Sequence, residues 1–119
     1  MKKIVFAIAL MMASTLGALA EDNSANKVEA YTLNINTRSL SRTLSLSDDQ
    51  EEICSDVIKA FENDMLFAAS NSSDESRKAV TKNAVDKNLK YMRMFLNDKQ
   101  YKKYVMLLNA TLTNRGIKF

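Results

Sequence analysis

The chain has 119 residues with no proline, no histidine, two glycines and one cysteine, and 46% of it is hydrophobic. That length suits one small domain, and the scarcity of chain-breaking residues points to an all-α fold. Without histidine there is no Ser-His-Asp triad, no Cys-His pair and no imidazole ligand for zinc, and one cysteine makes neither an internal disulfide nor a thiolate cluster, so the residues point to a non-enzymatic protein with no cofactor and no metal.

Lys2 and Lys3 open the chain, Ile4 to Leu16 is an almost unbroken apolar run, and Ala18-Leu19-Ala20 precedes Glu21-Asp22-Asn23. This is the three-part pattern of a secretory signal peptide over residues 1–20, cut after Ala20, and it predicts export to the periplasm. The run is shorter than the roughly 20 residues of a transmembrane helix. Glu21, not Cys, follows the cut, so no lipoprotein anchor is expected. From Glu21 to Ser76 there are 4 basic and 12 acidic residues, and from Arg77 to Phe119 there are 11 basic and 2 acidic. Either the two halves attract each other and show solvated faces to water, or the basic half offers a surface to an anionic or unfolded partner.

Residues 21–36 read as a flexible or extended lead-in: 21–27 are polar, and Val28, Ala30, Leu33 and Ile35 alternate weakly. A single helical domain is expected over 37–116. A short helix runs from Arg38 to Leu44 with Thr37 as its cap. Ser47 and Gln50 then form a capping box, in which each side chain bonds the other residue's backbone, and Asp48 and Asp49 suit the positive end of the helix dipole. The helix they open places Ile53, Cys54, Val57, Ile58, Phe61, Met65, Ala68 and Ala69 on one side and ends near Ser70. Ser72, with Glu75 three later, restarts the chain in a second long helix. Its apolar arc collects Val80, Ala84, Val85, Leu89, Tyr91, Met92, Phe95 and Leu96. Asn97 and Gln100 cap a third, whose stripe is Tyr101, Tyr104, Val105, Leu108 and Leu112, with Gly116 as its stop. The expected architecture is a short helix plus three longer antiparallel ones. Such a stack often leaves one apolar face open, which a homodimer would cover.

Few residues carry chemistry. Cys54 lies on an apolar face and reads as a buried, inert thiol, the alternative being an intermolecular disulfide. Asp64 and Asn88 each project inside an apolar arc and are expected to form a buried polar pair, with Arg77 as another partner for Asp64. Asp48, Asp49, Glu51 and Glu52 lack the spacing of a calcium loop. Tyrosines interleaved with lysines around residues 90–104 superficially suit nucleic acid, but export and the helical stripe favour packing.

Leu46-Ser47-Asp48-Asp49-Gln50 returns as Leu96-Asn97-Asp98-Lys99-Gln100, 50 residues on. On these segments the chain resembles exported helical proteins of the Spy/CpxP type, in which a Leu-Thr-x-x-Gln motif occurs twice and opens a helix each time; here Ser47 and Asn97 stand in place of Thr. The resemblance covers roughly Leu44 to Leu108 and implies a cofactor-free periplasmic chaperone or stress protein. Such a protein acts as a cradle-shaped dimer that shields unfolding clients on a basic face with apolar spots. Lys82, Lys87, Lys90 and Arg93 line one side of the second long helix with Met94 beside them, and are the expected client or partner site, although an ordinary solvated face needs the same residues. Two other readings keep the basic face. One assigns it to anionic membrane surfaces, the other makes the protein a small regulator of a single envelope partner.

Overall fold

The computed structural model describes residues 24–119, with side chains from Val28 onward. The predicted signal peptide lies outside the described residues. Five helices follow in order: α1 Ser24–Tyr31, α2 Thr37–Leu44, α3 Asp48–Ala69, α4 Asp74–Phe95 and α5 Asp98–Asn114. There is no strand among the described residues, and the fold is the expected all-α one.

Two helix starts are as the sequence predicts. Ser47 Oγ accepts from the Gln50 amide at 3.2 Å while Gln50 Oε1 accepts from the Ser47 amide at 2.9 Å. Asn97 and Gln100 repeat this at the head of α5, at 2.8 and 3.0 Å. The other two caps sit one residue from their expected places. α2 is capped by Asn36, which accepts from the Ser39 amide at 3.0 Å, and Thr37 is already helical. α4 is capped by Ser73 and not Ser72, with the Ser76 amide at 3.0 Å. In both cases the residue that takes extended backbone angles is the one whose oxygen can turn back to the first free amides.

The lead-in departs most from expectation. Ser24–Tyr31 is helical and only the following stretch, 32–36, lacks regular structure. Tyr31 and Leu33 are buried, Arg115 Nη1 donates to the carbonyls of Ala30 (2.8 Å) and Thr32 (3.2 Å), and Glu62 Oε2 accepts from the Ile35 amide at 2.9 Å. At the other end Ile117 is also buried, so the folded unit extends past 37–116 on both sides. Gly116 ends α5 in the left-handed region, φ 72°, with Ile117 N–H reaching back to Leu112 O at 2.9 Å, and Ser45 ends α2 the same way at φ 57°. This double-bonded stop lets the residue after the turn fold back onto the helix.

α3 is the centre of the molecule. It packs along α4 as an antiparallel hairpin and touches α1 and α2, while α5 closes on α2 and α4. Cys54, Ile58, Phe61, Met65 and Ala68 face Ala84, Val85 and Met92, with Leu40, Leu44, Tyr104, Leu107, Leu108 and Leu112 completing the core. Each large aliphatic or aromatic side chain so buried contributes about 1.5–3 kcal/mol. Thr81 and Thr111, wholly buried, return their hydroxyls to the carbonyls of Arg77 (2.7 Å) and Leu107 (2.8 Å). Ile53 and Tyr91, expected in the apolar arcs, are both 44% exposed.

Candidate functional site

Lys82, Lys87, Lys90, Arg93 and Met94 fall within about 140° of the α4 surface at 3.6 residues per turn. All five are exposed. Their surroundings differ. Lys82 lies 3.4 Å from Asp86 one turn along the same helix. Lys87 crosses to α3 and meets Asp64 at 2.9 Å, and the hydrogen bond to that carboxylate raises the ammonium above its ordinary range. Arg93 lies 3.5 Å from Asp98 at the head of α5, with its guanidinium 4.8 Å from the centre of the Tyr101 ring. That stacking fixes the guanidinium between α4 and α5. Lys90 has no ion-pair partner among the described residues.

The apolar part of this face is larger than the sequence suggests. Met94 is 75% exposed, the most open large hydrophobic residue among those described, and Tyr91 stands one turn before it. Lys87, Tyr91 and Met94 follow at spacings of four and three, and Lys90 is four before Met94, so cationic and apolar side chains lie side by side along one strip. Phe67 on α3 and Met106 on α5 are also exposed, at 64% and 57%, but Phe67 lies at the other end of the α3–α4 hairpin from Met94. The exposure of Tyr91 escapes a wheel diagram, which gives the centre of an apolar arc but not how far the neighbouring helix covers it. A strip of this kind can attract anions through its cations and hold apolar atoms on a flexible thioether and an aromatic ring.

The repeated motifs do more than cap their own helices. Gln50 Nε2 donates to Gln100 Oε1 at 2.9 Å, and Gln100 Nε2 donates to Gln50 Oε1 at 3.3 Å. The same two nitrogens also reach the carbonyl before the other motif: Gln50 to Phe95 O at 2.9 Å, Gln100 to Ser45 O at 3.3 Å. Positions 45 and 95, like 50 and 100, are 50 apart, so the junctions α2–α3 and α4–α5 clasp each other with local twofold character. Both hydrogens and both lone pairs of each amide are used. The clasp lies at the α5 end of α4, within one or two turns of Arg93 and Met94.

Asp64 and Asn88 do not pair. Asp64 is one-third exposed and bonds Lys87, while Asn88 is buried and its Oδ1 accepts from the Tyr104 hydroxyl on α5. Arg77, the other expected partner of Asp64, instead bonds Asp74 and the Asn71 carbonyl. The reason is reach: α3 and α4 bring Asp64 to the rim of their groove, where a long lysine side chain arrives from the next position, and Asn88 points past it to the core. Cys54 is buried and free, with its thiol pushed up to about 12 by burial and, second, by Glu51, which makes it a poor nucleophile. No group of three acidic or sulfur side chains among the described residues could hold a metal ion, and no described helix is long and apolar enough to cross a membrane. No family model, curated protein or solved structure matches the chain.

Proposed function

We propose that the chain is an exported, non-enzymatic binding protein of the envelope that shields non-native protein segments on the basic strip of α4, in the manner that its likeness to Spy/CpxP-type proteins implies. The observation that carries this reading is the exposure of Met94 and Tyr91 beside Lys90. A face kept only for solvation has no need of a methionine three-quarters open to water between cations. Charge brings a client in over a distance set by the screening length, and scattered apolar atoms hold it weakly enough for release. The Gln50–Gln100 clasp supports the likeness, since it gives the paired motifs a shared structural task.

Dilution of a chemically denatured test protein into buffer, followed by light scattering, tests this directly. The purified chain at equimolar ratio should suppress aggregation of several unrelated clients, and more strongly at low salt. Lys90→Glu combined with Met94→Ser touches no internal partner, so the fold should survive while protection falls several-fold. Unchanged scattering with the parent protein sinks the proposal. Sedimentation with anionic vesicles, or capture of one stoichiometric envelope partner, would then assign the strip to one of the other two readings.

A further inference from the structure

Near the opposite end of α4, about 25 Å from Met94 at 1.5 Å rise per residue, the last turn of α1, the first turn of α4 and the tail after α5 enclose a cleft. Its volume is about 360 Å3, and Tyr31, Asp74, Arg77, Lys78, Gly116 and Lys118 line it. Three of these residues are cationic and one is acidic, so charge alone favours an anionic occupant.

Two further observations point the same way. Arg77 is only 8% exposed, and its guanidinium is held by the Asn71 carbonyl at 2.7 Å and by Asp74. Two of five N–H donors are thereby used, and a fixed fork with three donors remains. Tyr31, 7% exposed, also lines the cleft. Lys78 and Lys118 are exposed and have no ion-pair partner among the described residues. The start of α4 adds the positive end of its dipole.

We infer that this cleft binds a phosphomonoester group, either free or on the headgroup of an anionic lipid. Arg77 supplies the rigid donors, Lys78 and Lys118 close on the outer oxygens, and the Tyr31 hydroxyl donates from the floor. A carboxylate fits less well. It has two oxygens and one charge, whereas a phosphate dianion offers three terminal oxygens to four donor groups and matches the two-charge excess of the lining.

Amide shifts in a two-dimensional NMR titration with inorganic phosphate, at constant ionic strength, give the test. The expected result is a saturable response confined to Tyr31, Asp74 to Lys78 and Gly116 to Lys118. Lys78→Ala with Lys118→Ala should weaken it about tenfold or more, and Tyr31→Phe about fivefold, the value of one hydrogen bond. Tyr31→Phe keeps the ring in place and the two lysines are exposed, and an unchanged melting temperature separates lost binding from lost fold. If inorganic phosphate is silent but phosphatidic acid vesicles, and not phosphatidylcholine ones, bind with the same sensitivity to these variants, the phosphate belongs to a lipid. Absence of both responses overturns the inference, as does a response spread over Lys90, Lys99 and Lys102 or one indifferent to the variants. The aggregation assay is unaffected by Lys78→Ala with Lys118→Ala, which keeps this site distinct from the α4 strip.

Discussion

At the scale of single residues, the polar groups inside the core decide more than their number suggests. Asn88 is 2% exposed and Tyr104 2%; burial pushes the phenol far above its ordinary range, so it is a neutral donor to Asn88 Oδ1. Asn88 Nδ2 has no acceptor among the described residues. Removing one partner therefore strands the other. Tyr104→Phe should cost about 1–3 kcal/mol and Asn88→Leu a similar amount, since each leaves a buried polar group unmatched. Their combination should cost less than the sum, because the apolar pair leaves nothing unmatched, and chemical denaturation of the four proteins measures this coupling. Additive losses would show that the bond contributes nothing. The sequence marks Asn88 as an intruder in an apolar arc but cannot name its partner. Tyr104 lies 16 residues on in another helix, and only the angle at which α5 crosses α4 brings it there.

At the scale of helices, local signals were legible and cross-links were not. Ser47 with Gln50 and Asn97 with Gln100 declare two helix starts because a capping box is completed within four residues. That the two boxes clasp each other has a trace in the 50-residue repeat, but hydrogen bonds between them depend on how α2, α3 and α5 meet. The caps at Asn36 and Ser73 each lie one position from where the sequence puts them, since Thr37 and Ser72 can also cap a helix and the backbone angles choose between neighbours. The clasp predicts strong coupling. Gln50→Ala removes donors to Phe95 and Gln100 and an acceptor for Ser47, and should destabilise by about 2–3 kcal/mol. Gln100→Ala should cost as much. The double variant should fall at least about 1 kcal/mol short of additivity in a denaturant cycle. Simple addition would mean that each glutamine acts as a helix cap and nothing more.

At the scale of the molecule, the lead-in is a docked part of the fold. A weak alternation of apolar residues over 28–35 says nothing about where they rest. Leu33 reaches the core, and its neighbours are pinned by residues 27 and more than 80 positions away, Glu62 and Arg115. Tertiary anchors of this length have no signature in a local pattern. Glu62 gives the docking a pH dependence. Burial, the largest influence, raises its carboxyl above the ordinary glutamate range, and the Ile35 amide and Lys59 offset this in part. A carboxyl with a raised folded-state value contributes stability that is fully present below the unfolded value and is lost as pH climbs through the folded one. Glu62→Gln keeps an oxygen for the Ile35 amide and removes the charge. Its melting temperature should therefore exceed that of the parent at neutral pH, and the two curves should converge in acid. Glu62→Ala removes the acceptor as well, so amide exchange at Ile35 should accelerate at every pH. A constant offset between the parent and Glu62→Gln from acid to neutral would mean that the buried charge plays no part, and that the amide bond alone holds the lead-in against α3.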